Sequence, residues 1–280
     1  MPRKTIKKDV SIEGIGLHTG TDSKVIFHPS AKTGICFTGP GFGKPVRALL
    51  DNVSGTARGT TISECGHAIH TVEHLLCAAA SLGIDDLEIE IHGEEPPIGD
   101  GSAKPFAELL HNAGYEMTPG NPDIKRINSP VDANFGDVKY KAVPAEKGLF
   151  LSVIYESSHN LVGTQKAEFE INPETFLKEI APARTFGYDF ELEMLRKAGL
   201  AKGGSLHNAI VVAKNEIMAE GGLRFPDELV RHKLLDFLGD MALLGWRPEG
   251  VRIEAVRCGH AGNVKFAKLL QTALEISNEQ

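Results

Sequence analysis

The chain has 280 residues, of which 41% are hydrophobic and 24% are charged, and its formal net charge is −7 with histidine neutral. This length allows one large domain or two modest ones, and the negative charge argues against a nucleic-acid-binding protein. The four cysteines form no Cys-x-x-Cys pair, so neither a disulfide framework nor a cysteine zinc site is indicated.

The sequence also indicates where in the cell the protein is found. The first residues carry no apolar stretch of the kind found in signal peptides. The longest apolar run, residues 75–82, is far shorter than the roughly 20 residues that a membrane-spanning helix needs. We therefore expect a cytoplasmic protein with reduced thiols and no transmembrane segment.

The first part of the chain predicts strands followed by helices. Strand patterns cover residues 10–18, 22–29 and 33–37, each bounded by Gly or Pro. A helix is predicted over residues 71–82 and is ended by Gly83. Residues 87–93 alternate like a half-buried strand, and a turn-rich loop then leads into a helix at residues 105–112.

A domain boundary is predicted at residues 114–130, where Pro, Gly and Asn cluster without periodicity. Strands are then predicted at residues 137–145, 149–157, 166–171 and 250–260, helices at 189–197, 227–245 and 263–276, and a strand-rich insertion at 203–222. Because each half mixes strands with about two helices, we expect two similar α+β domains, residues 1–120 and 126–280, with the insert at about 200–222.

The first long helix carries His70, Glu73 and His74 in the spacing His-x-x-Glu-His, which is typical of the inverted zinc-protease motif. On a helical projection these residues lie opposite an apolar stripe. Two histidines with an adjacent glutamate favour a metal site about as strongly as a solvated helix face. Glu73 need not be a ligand, because a carboxylate beside a metal is also placed to act as a base.

The helix at residues 227–245 adds His232 and Asp236 at i and i+4, on one face with Lys233 and Asp240. Imidazole and carboxylate are both good zinc ligands. Charged residues on so apolar a helix need partners, which favours a functional site over a surface ion pair. His70, His74, His232 and Asp236 together would make four protein ligands and close the site. A catalytic zinc site keeps one position open, so either one histidine is not a ligand or the site is structural.

Other stretches carry weaker signals. His260 lies between a strand and a helix with glycine before it, Thr185 offers a hydroxyl in a loop, and His18 is flanked by turn residues. The Lys-Gly-Gly-Ser stretch at residues 202–205 lacks the spacing of a phosphate-binding loop.

Seven stretches taken together resemble the UDP-3-O-acyl-N-acetylglucosamine deacetylase family of lipid A biosynthesis. They are IEGIGLHTG, TVEHLL, EPPIGDGS, ARTFG, KGGSLHNAIV, GLRFPDELVRHKLLDFLGD and CGHAGN, in order over nearly the whole chain. The resemblance implies two similar domains, each a β-sheet layer packed on helices, with the active site at their interface. It also implies one small insert per domain, the second of which helps to form an apolar passage for an acyl chain.

The resemblance also implies roles for individual residues. The implied metal ligands are His74, His232 and Asp236, with Zn²⁺ as the cofactor and Fe²⁺ an alternative in the cell. The implied catalytic residues are Glu73 as base, His260 as proton donor or electrostatic stabiliser, Asp240 as its carboxylate partner and Thr185 near the oxyanion. The implied substrate contacts are Phe186, Lys233, Gly204 and Arg257. His70 is not a ligand in this family.

The implied reaction removes the acetyl group from UDP-3-O-(3-hydroxyacyl)-N-acetylglucosamine, and the implied partner is this small-molecule substrate. We expect a monomer that does not bind nucleic acid. Two alternatives stay open: an inverted-motif metalloprotease in which His70 and His74 both bind metal, and a non-catalytic zinc-dependent binding protein with a closed site.

Overall fold

The computed structural model of this chain describes residues 2–31 and 33–278, with side chains described as far as residue 274. Helices and strands are mixed in two sheet-rich halves, which confirms the predicted α+β class. One continuous apolar core extends through both halves. The placement of a domain boundary at residues 120–126 stays a prediction.

The described part of the first half combines strands of two to eight residues with two α-helices. Its elements are β1 (Arg3–Ile6), β2 (Val10–Ile15), β3 (Asp22–Pro29), β4 (Ile35–Thr38), β5 (Val46–Arg47), a 3₁₀ turn (Leu50–Asn52), β6 (Val53–Gly55), β7 (Thr61–Glu64), β8 (His67–Ile69), α1 (Glu73–Ser81), β9 (Leu87–His92), α2 (Lys104–Asn112) and β10 (Tyr115–Thr118).

The second half repeats this mixture and ends in a helix. Its elements are β11 (Ile124–Lys125), β12 (Val131–Phe135), β13 (Val138–Pro144), β14 (Leu149–Glu156), β15 (Thr164–Glu170), α3 (Pro173–Thr175) continuing into a π turn (Phe176–Ile180), β16 (Phe186–Tyr188), α4 (Asp189–Lys197), β17 (Ile210–Ala213), β18 (Glu216–Met218), α5 (Glu228–Ala242), β19 (Arg247–Pro248), β20 (Val251–Val256) and α6 (His260–Asn278).

The two five-stranded sheets have the same topology. Their strand orders are β2-β3-β9-β4-β5 and β12-β13-β20-β14-β15. In each sheet the strand that comes last in sequence lies in the centre, antiparallel to one neighbour and parallel to the other. The two halves therefore share one plan, as predicted, although their sequences show no residue-level repeat.

Helices α1 and α5 occupy equivalent places, each ahead of the central strand of its own sheet, and they pack against each other across the two halves. Residues 73–79 of α1 are all buried. The approach is close because Gly239 on α5 has no side chain, and a Cβ there would overlap the carbonyl oxygen of Glu73. His74 of α1 and His232 and Asp236 of α5 are thereby buried together between the helices.

Each half also carries a small three-stranded insert. Strands β6, β7 and β8 form one insert ahead of α1, and β16, β17 and β18 form the other ahead of α5. Among the described residues, three backbone hydrogen bonds join the second insert region to the first half: Gly203 donates to Leu17 at 3.0 Å, Lys202 to His18 at 3.3 Å, and Thr185 to Gly101 at 2.8 Å. The second insert is thus fixed to both halves of the molecule.

Several element boundaries differ from the predicted ones. Helix α1 begins at Glu73 rather than at residue 71, because Thr71 has a left-handed backbone conformation with φ of 53°. The last helix begins at His260 rather than at residue 263, and the loop that holds Thr185 leads directly into strand β16. The strands β5 to β8, β10 and β11 are only two to four residues long, too short for a clear periodic pattern. Strand β12 does alternate apolar and polar residues, but it directly follows the predicted boundary and is missing from the predicted strands.

No helix among the described residues is both long enough and apolar enough to cross a bilayer.

We expect Gly239→Ala to lower the free energy of unfolding by about 1–3 kcal/mol, because the added methyl group forces α1 and α5 apart. Urea unfolding followed by circular dichroism measures this change. Gly43→Ala is the matched control, since a Cβ at Gly43 meets no atom within 4 Å, and it should leave stability within about 0.5 kcal/mol. Equal stability of the two variants would contradict the proposed steric contact.

Candidate active site

Three potential metal ligands converge where the first turn of α1 meets the middle of α5. His74 comes from α1, while His232 and Asp236 lie one turn apart on α5. Their ligand atoms all lie within 4.8 Å of one another. Nε2 of His232 is 3.3 Å and Nε2 of His74 is 3.8 Å from Oδ1 of Asp236. Sequence spacing pairs the two α5 residues, but only the packing of α1 on α5 adds His74.

The histidines are suited to bind a transition metal. Nδ1 of His232 lies 3.1 Å from the carbonyl of Ala183, and because a carbonyl only accepts, this nitrogen carries the proton and Nε2 keeps its lone pair. Burial and His232 lower the pKa of His74 to about 3, and burial also lowers the pKa of His232. Both rings are therefore neutral at pH 7, which is the form that coordinates metals.

The His74 ring lacks such a hydrogen bond. Its Nδ1 atom is buried and has no hydrogen-bond partner among the residues whose side chains are described. The ring lies edge-on to His232, with centroids 5.0 Å apart. Packing in the interface of α1 and α5 therefore sets its orientation.

Asp236 completes the donor set as an anion. Burial would raise the pKa of this carboxyl group, but His232 and Lys233 outweigh burial and keep its pKa below the usual range. Nζ of Lys233 lies 2.9 Å from Oδ2 of Asp236, while Oδ1 faces the two imidazoles. Two neutral imidazoles and one carboxylate oxygen suit Zn²⁺ and also Fe²⁺.

Glu73 belongs to a second cluster, with Asp236 and His260. Its Oε2 accepts a hydrogen bond from the backbone N–H of Thr60 at 2.9 Å, and its Oε1 lies 3.8 Å from Nε2 of His260. Burial raises the pKa of Glu73 to about 7, although His260 acts in the opposite direction. A carboxyl group with a pKa near neutrality can take up and release a proton during a reaction.

His260 and Asp240 form a charged pair at the start of α6. Nδ1 of His260 donates to Oδ2 of Asp240 at 3.0 Å, and the side-chain amide of Asn263 donates to the same oxygen at 2.8 Å. Burial opposes the charged imidazole, but Asp240 and Glu73 outweigh it and raise the pKa of His260 to about 10. His260 is therefore protonated at pH 7, as a proton donor must be.

Three of the predicted site residues, one catalytic and two substrate-binding, line the same cavity. Thr185, Phe186 and Gly204 line a cavity of about 260 Å³ whose other walls are largely apolar. The Phe186 ring also lies 6.2 Å from the His232 ring, centroid to centroid, so one wall of the cavity is next to a metal ligand. Nζ of Lys233 lies 5.3 Å above the same phenylalanine ring.

Arg257 lies apart from this cavity. Its side chain is 46% exposed, and its guanidinium group is 3.5 Å from Asp137 and 3.8 Å from Glu156. An anionic group of a substrate would have to compete with these two carboxylates for the arginine.

Two residues at the site carry no signal in the sequence. Thr60 is fully buried, and its hydroxyl lies 2.5 Å from Asp240. Asn263 is also fully buried, and it links Asp240 to the Tyr140 hydroxyl. Thr60 lies in no motif, and Asn263 ends the CGHAGN stretch without a predicted role, so the fold identifies what both of them contact.

Larger cavities lie near the C-terminal ends of α1 and α5. They measure about 470 and 320 Å³, and both are lined by Trp246 and Arg247 but by none of the clustered histidines and carboxylates. Size alone would therefore misplace the site, whereas the convergence of ionisable side chains with shifted pKa values locates it.

Comparison with known proteins identifies the family. The family model described as UDP-3-O-acyl N-acetylglycosamine deacetylase (LpxC) matches residues 3–272. The chain belongs to this family. A UDP-3-O-acyl-N-acetylglucosamine deacetylase from Chlamydia pneumoniae is 40% identical over 278 residues, which is 98% of each chain. Proteins of the same name from Nitratidesulfovibrio vulgaris and Myxococcus xanthus are 42% and 39% identical, over 97% and 95% of this chain and 88% and 85% of theirs.

Membership of the deacetylase family confirms the resemblance drawn from the seven stretches and does not support the protease alternative. The structure agrees, because His70 precedes α1 and is separated from it by the left-handed Thr71. Nδ1 of His70 lies 3.0 Å from the Thr61 hydroxyl, and His70 is not among the clustered ligands. The two histidines of His-x-x-Glu-His therefore do not share a helix face.

We expect His70→Ala to keep the metal content of the unaltered protein, because His70 lies outside the ligand cluster. His74→Ala, the matched control on the same motif, should lose most of its metal. Elemental analysis of both proteins after dialysis against zinc-free buffer measures the difference. Loss of metal from the His70 variant would favour the protease-type arrangement instead.

Proposed function

We propose that this deacetylase-family protein hydrolyses the acetamide of UDP-3-O-(3-hydroxyacyl)-N-acetylglucosamine, releasing acetate and the free amine in the committed step of lipid A biosynthesis. One observation carries the proposal: Asp236 belongs both to the candidate ligand cluster with His74 and His232 and to the cluster with Glu73 and His260. Metal ligands, a base and an acid side by side are what metal-assisted amide hydrolysis requires. The names of the relatives supply the substrate class.

We further propose that the metal is Zn²⁺, with Fe²⁺ as the alternative that the same donors suit. His74, His232 and Asp236 would hold it. Three protein ligands are typical of catalytic zinc sites, whereas structural sites have four, so a non-catalytic closed site is not favoured. When bound, the metal supplies a Lewis acid for the carbonyl oxygen and lowers the pKa of water.

Glu73 is the proposed general base. Because Oε2 is held by the backbone N–H of Thr60, Oε1 is the oxygen available to take a proton from the attacking water. A pKa of about 7 keeps a large fraction of Glu73 ionised at neutral pH while leaving it basic enough to accept that proton.

His260 is the proposed proton donor to the leaving group. The amide C–N bond breaks productively only when its nitrogen leaves as an amine, which requires a proton on that nitrogen. Asp240 holds Nδ1 of His260 and balances the positive charge, so Nε2–H is the donor. The Thr185 hydroxyl is proposed to donate to the carbonyl oxygen as negative charge develops there.

The remaining assignments concern substrate binding. We propose that Phe186, Lys233 and Gly204 contact the substrate and that the apolar cavity beside them takes the acyl chain, since aliphatic side chains form most of its wall. Arg257 is proposed to face the diphosphate, after exchange of its surface carboxylate partners.

We also propose that the protein is cytoplasmic and monomeric, and that its two domains cover residues 1–120 and 126–280. These proposals rest on composition and sequence pattern.

We expect Glu73→Gln to retain metal but to lose at least about a hundredfold in kcat, since general-base catalysis contributes on that order. Acetate release from the UDP-acylglucosamine substrate, measured on purified zinc-loaded protein, tests this expectation. Glu108→Gln on the exposed face of α2 is the control and should leave kcat unchanged. Unaltered turnover in the Glu73 variant would rule out the assigned base, and no acetate release from metal-loaded wild-type protein would rule out the proposed reaction.

A further inference from the structure

Thr60 contacts all three side chains that the proposed function uses for proton transfer and its support. It lies in the loop between β6 and β7 and has no exposed surface. Its backbone N–H donates to Oε2 of Glu73 at 2.9 Å, and its hydroxyl lies 2.5 Å from Oδ1 of Asp240 and 3.3 Å from Nδ1 of His260. One residue therefore touches the base, the acid and the carboxylate that supports the acid.

The hydrogen atoms at these contacts have one consistent arrangement. An ionised carboxylate only accepts, so the Thr60 hydroxyl donates to Oδ1 of Asp240. Oδ2 of Asp240 accepts from His260 and Asn263. The hydroxyl oxygen of Thr60 then faces the Nδ1–H of His260 as the longer acceptor of a shared hydrogen bond, at 3.3 Å against 3.0 Å to Asp240, and both carboxylate oxygens have donors.

Thr60 also connects elements from both halves of the molecule. It belongs to the first insert, whereas Asp240 and His260 lie on α5 and α6. The carbonyl of Thr60 accepts from the backbone N–H of Val72 at 3.1 Å, directly ahead of Glu73. The loop is thus tied through its backbone to the start of α1 and through its side chain to the acid pair on the other half.

The other carboxylate oxygen of Asp240, Oδ2, is held by a side chain of the second half. Asn263 donates to Asp240 at 2.8 Å and accepts from the Tyr140 hydroxyl at 2.8 Å. Because this support comes from β13 and α6, it fixes Asp240 within its own half and leaves the alignment with α1 to contacts such as that of Thr60.

We propose that Thr60 is a positioning residue that keeps the base Glu73 aligned with the Asp240–His260 pair across the two halves. The inference rests on the proposed deacetylase function. Without the hydroxyl, Oδ1 of buried Asp240 loses a donor and His260 loses one of its two contacts at Nδ1. The 3.8 Å separation of Glu73 Oε1 and His260 Nε2 would then be less well fixed.

The test replaces the hydroxyl and keeps the backbone. Thr60→Val retains the N–H that binds Glu73, so we expect kcat to fall roughly ten- to a hundredfold, as for other residues that orient a metal site, while KM and metal content stay near wild type. Thr60→Ser restores the hydroxyl and should recover most of the activity. If the serine and valine variants are equally impaired, the hydroxyl is not the relevant group and the proposal is wrong.

A second measurement does not depend on turnover. In zinc-loaded, ¹⁵N-histidine-labelled protein, the Nδ1–H resonance of His260 (identified by its loss in His260→Gln) should shift or broaden in Thr60→Val. Thr5→Val is the matched control: Thr5 in β1 is also buried, and its hydroxyl accepts a hydrogen bond from the backbone N–H of Ser30, directly after β3. It should leave both the resonance and kcat unchanged. An unmoved resonance in Thr60→Val would refute the positioning role.

A double-mutant cycle separates this proposal from the reaction assignment. If Thr60 acts through Asp240, removing the hydroxyl should have little further effect on kcat in an Asp240→Asn background. A full additional loss would contradict the proposal, although the reaction itself would stand. Absence of acetate release by wild-type protein would instead refute the reaction, and the His260 resonance would still decide the role of Thr60.

Discussion

The whole site depends on the close contact between α1 and α5. A glycine at position 239 lets the backbone of α5 approach the carbonyl of Glu73. That approach brings His74 within 3.8 Å of Asp236 and buries Glu73, His74, His232, Asp236 and Asp240. Neither helix carries a complete donor set alone, so the metal ligands exist as a group only while the two helices remain packed.

Burying so many ionisable groups is costly unless they compensate one another. In this site, the surroundings of two histidines shift their pKa values in opposite directions. Burial and like neighbours keep His74 neutral, with a pKa of about 3, whereas Asp240 and Glu73 keep His260 charged, with a pKa of about 10. Two histidines in neighbouring positions are thereby suited to different tasks, one to coordination and one to proton donation.

The shared sheet topology explains why the site lies between the halves. Each half places a helix ahead of its central strand, and these equivalent helices are α1 and α5. Packing the two halves through equivalent helices brings one ligand from the first half and two from the second together. The inserts occupy equivalent positions too, and the first supplies Thr60 while the second forms the apolar cavity.

The sequence by itself determined the fold class, most long elements and the family, because each of these depends on local patterns or on ordered motifs. It also paired His232 with Asp236, since both lie on one helix at i and i+4. The helical projection placed His70 on the same face as His74, but α1 begins only at Glu73, and the left-handed Thr71 that separates His70 from the helix has no pattern in the sequence.

Tertiary structure alone decided which side chains meet. The contacts of Glu73 with Thr60 and His260, and of Asp240 with Asn263, join residues from different elements, up to 187 positions apart, and no periodicity links them. Burial, which gives Glu73 a pKa of about 7, likewise arises only after α1 packs against α5. The chemical nature of each side chain is given by the sequence, whereas its distance from other side chains and its shielding from water depend on the folded chain.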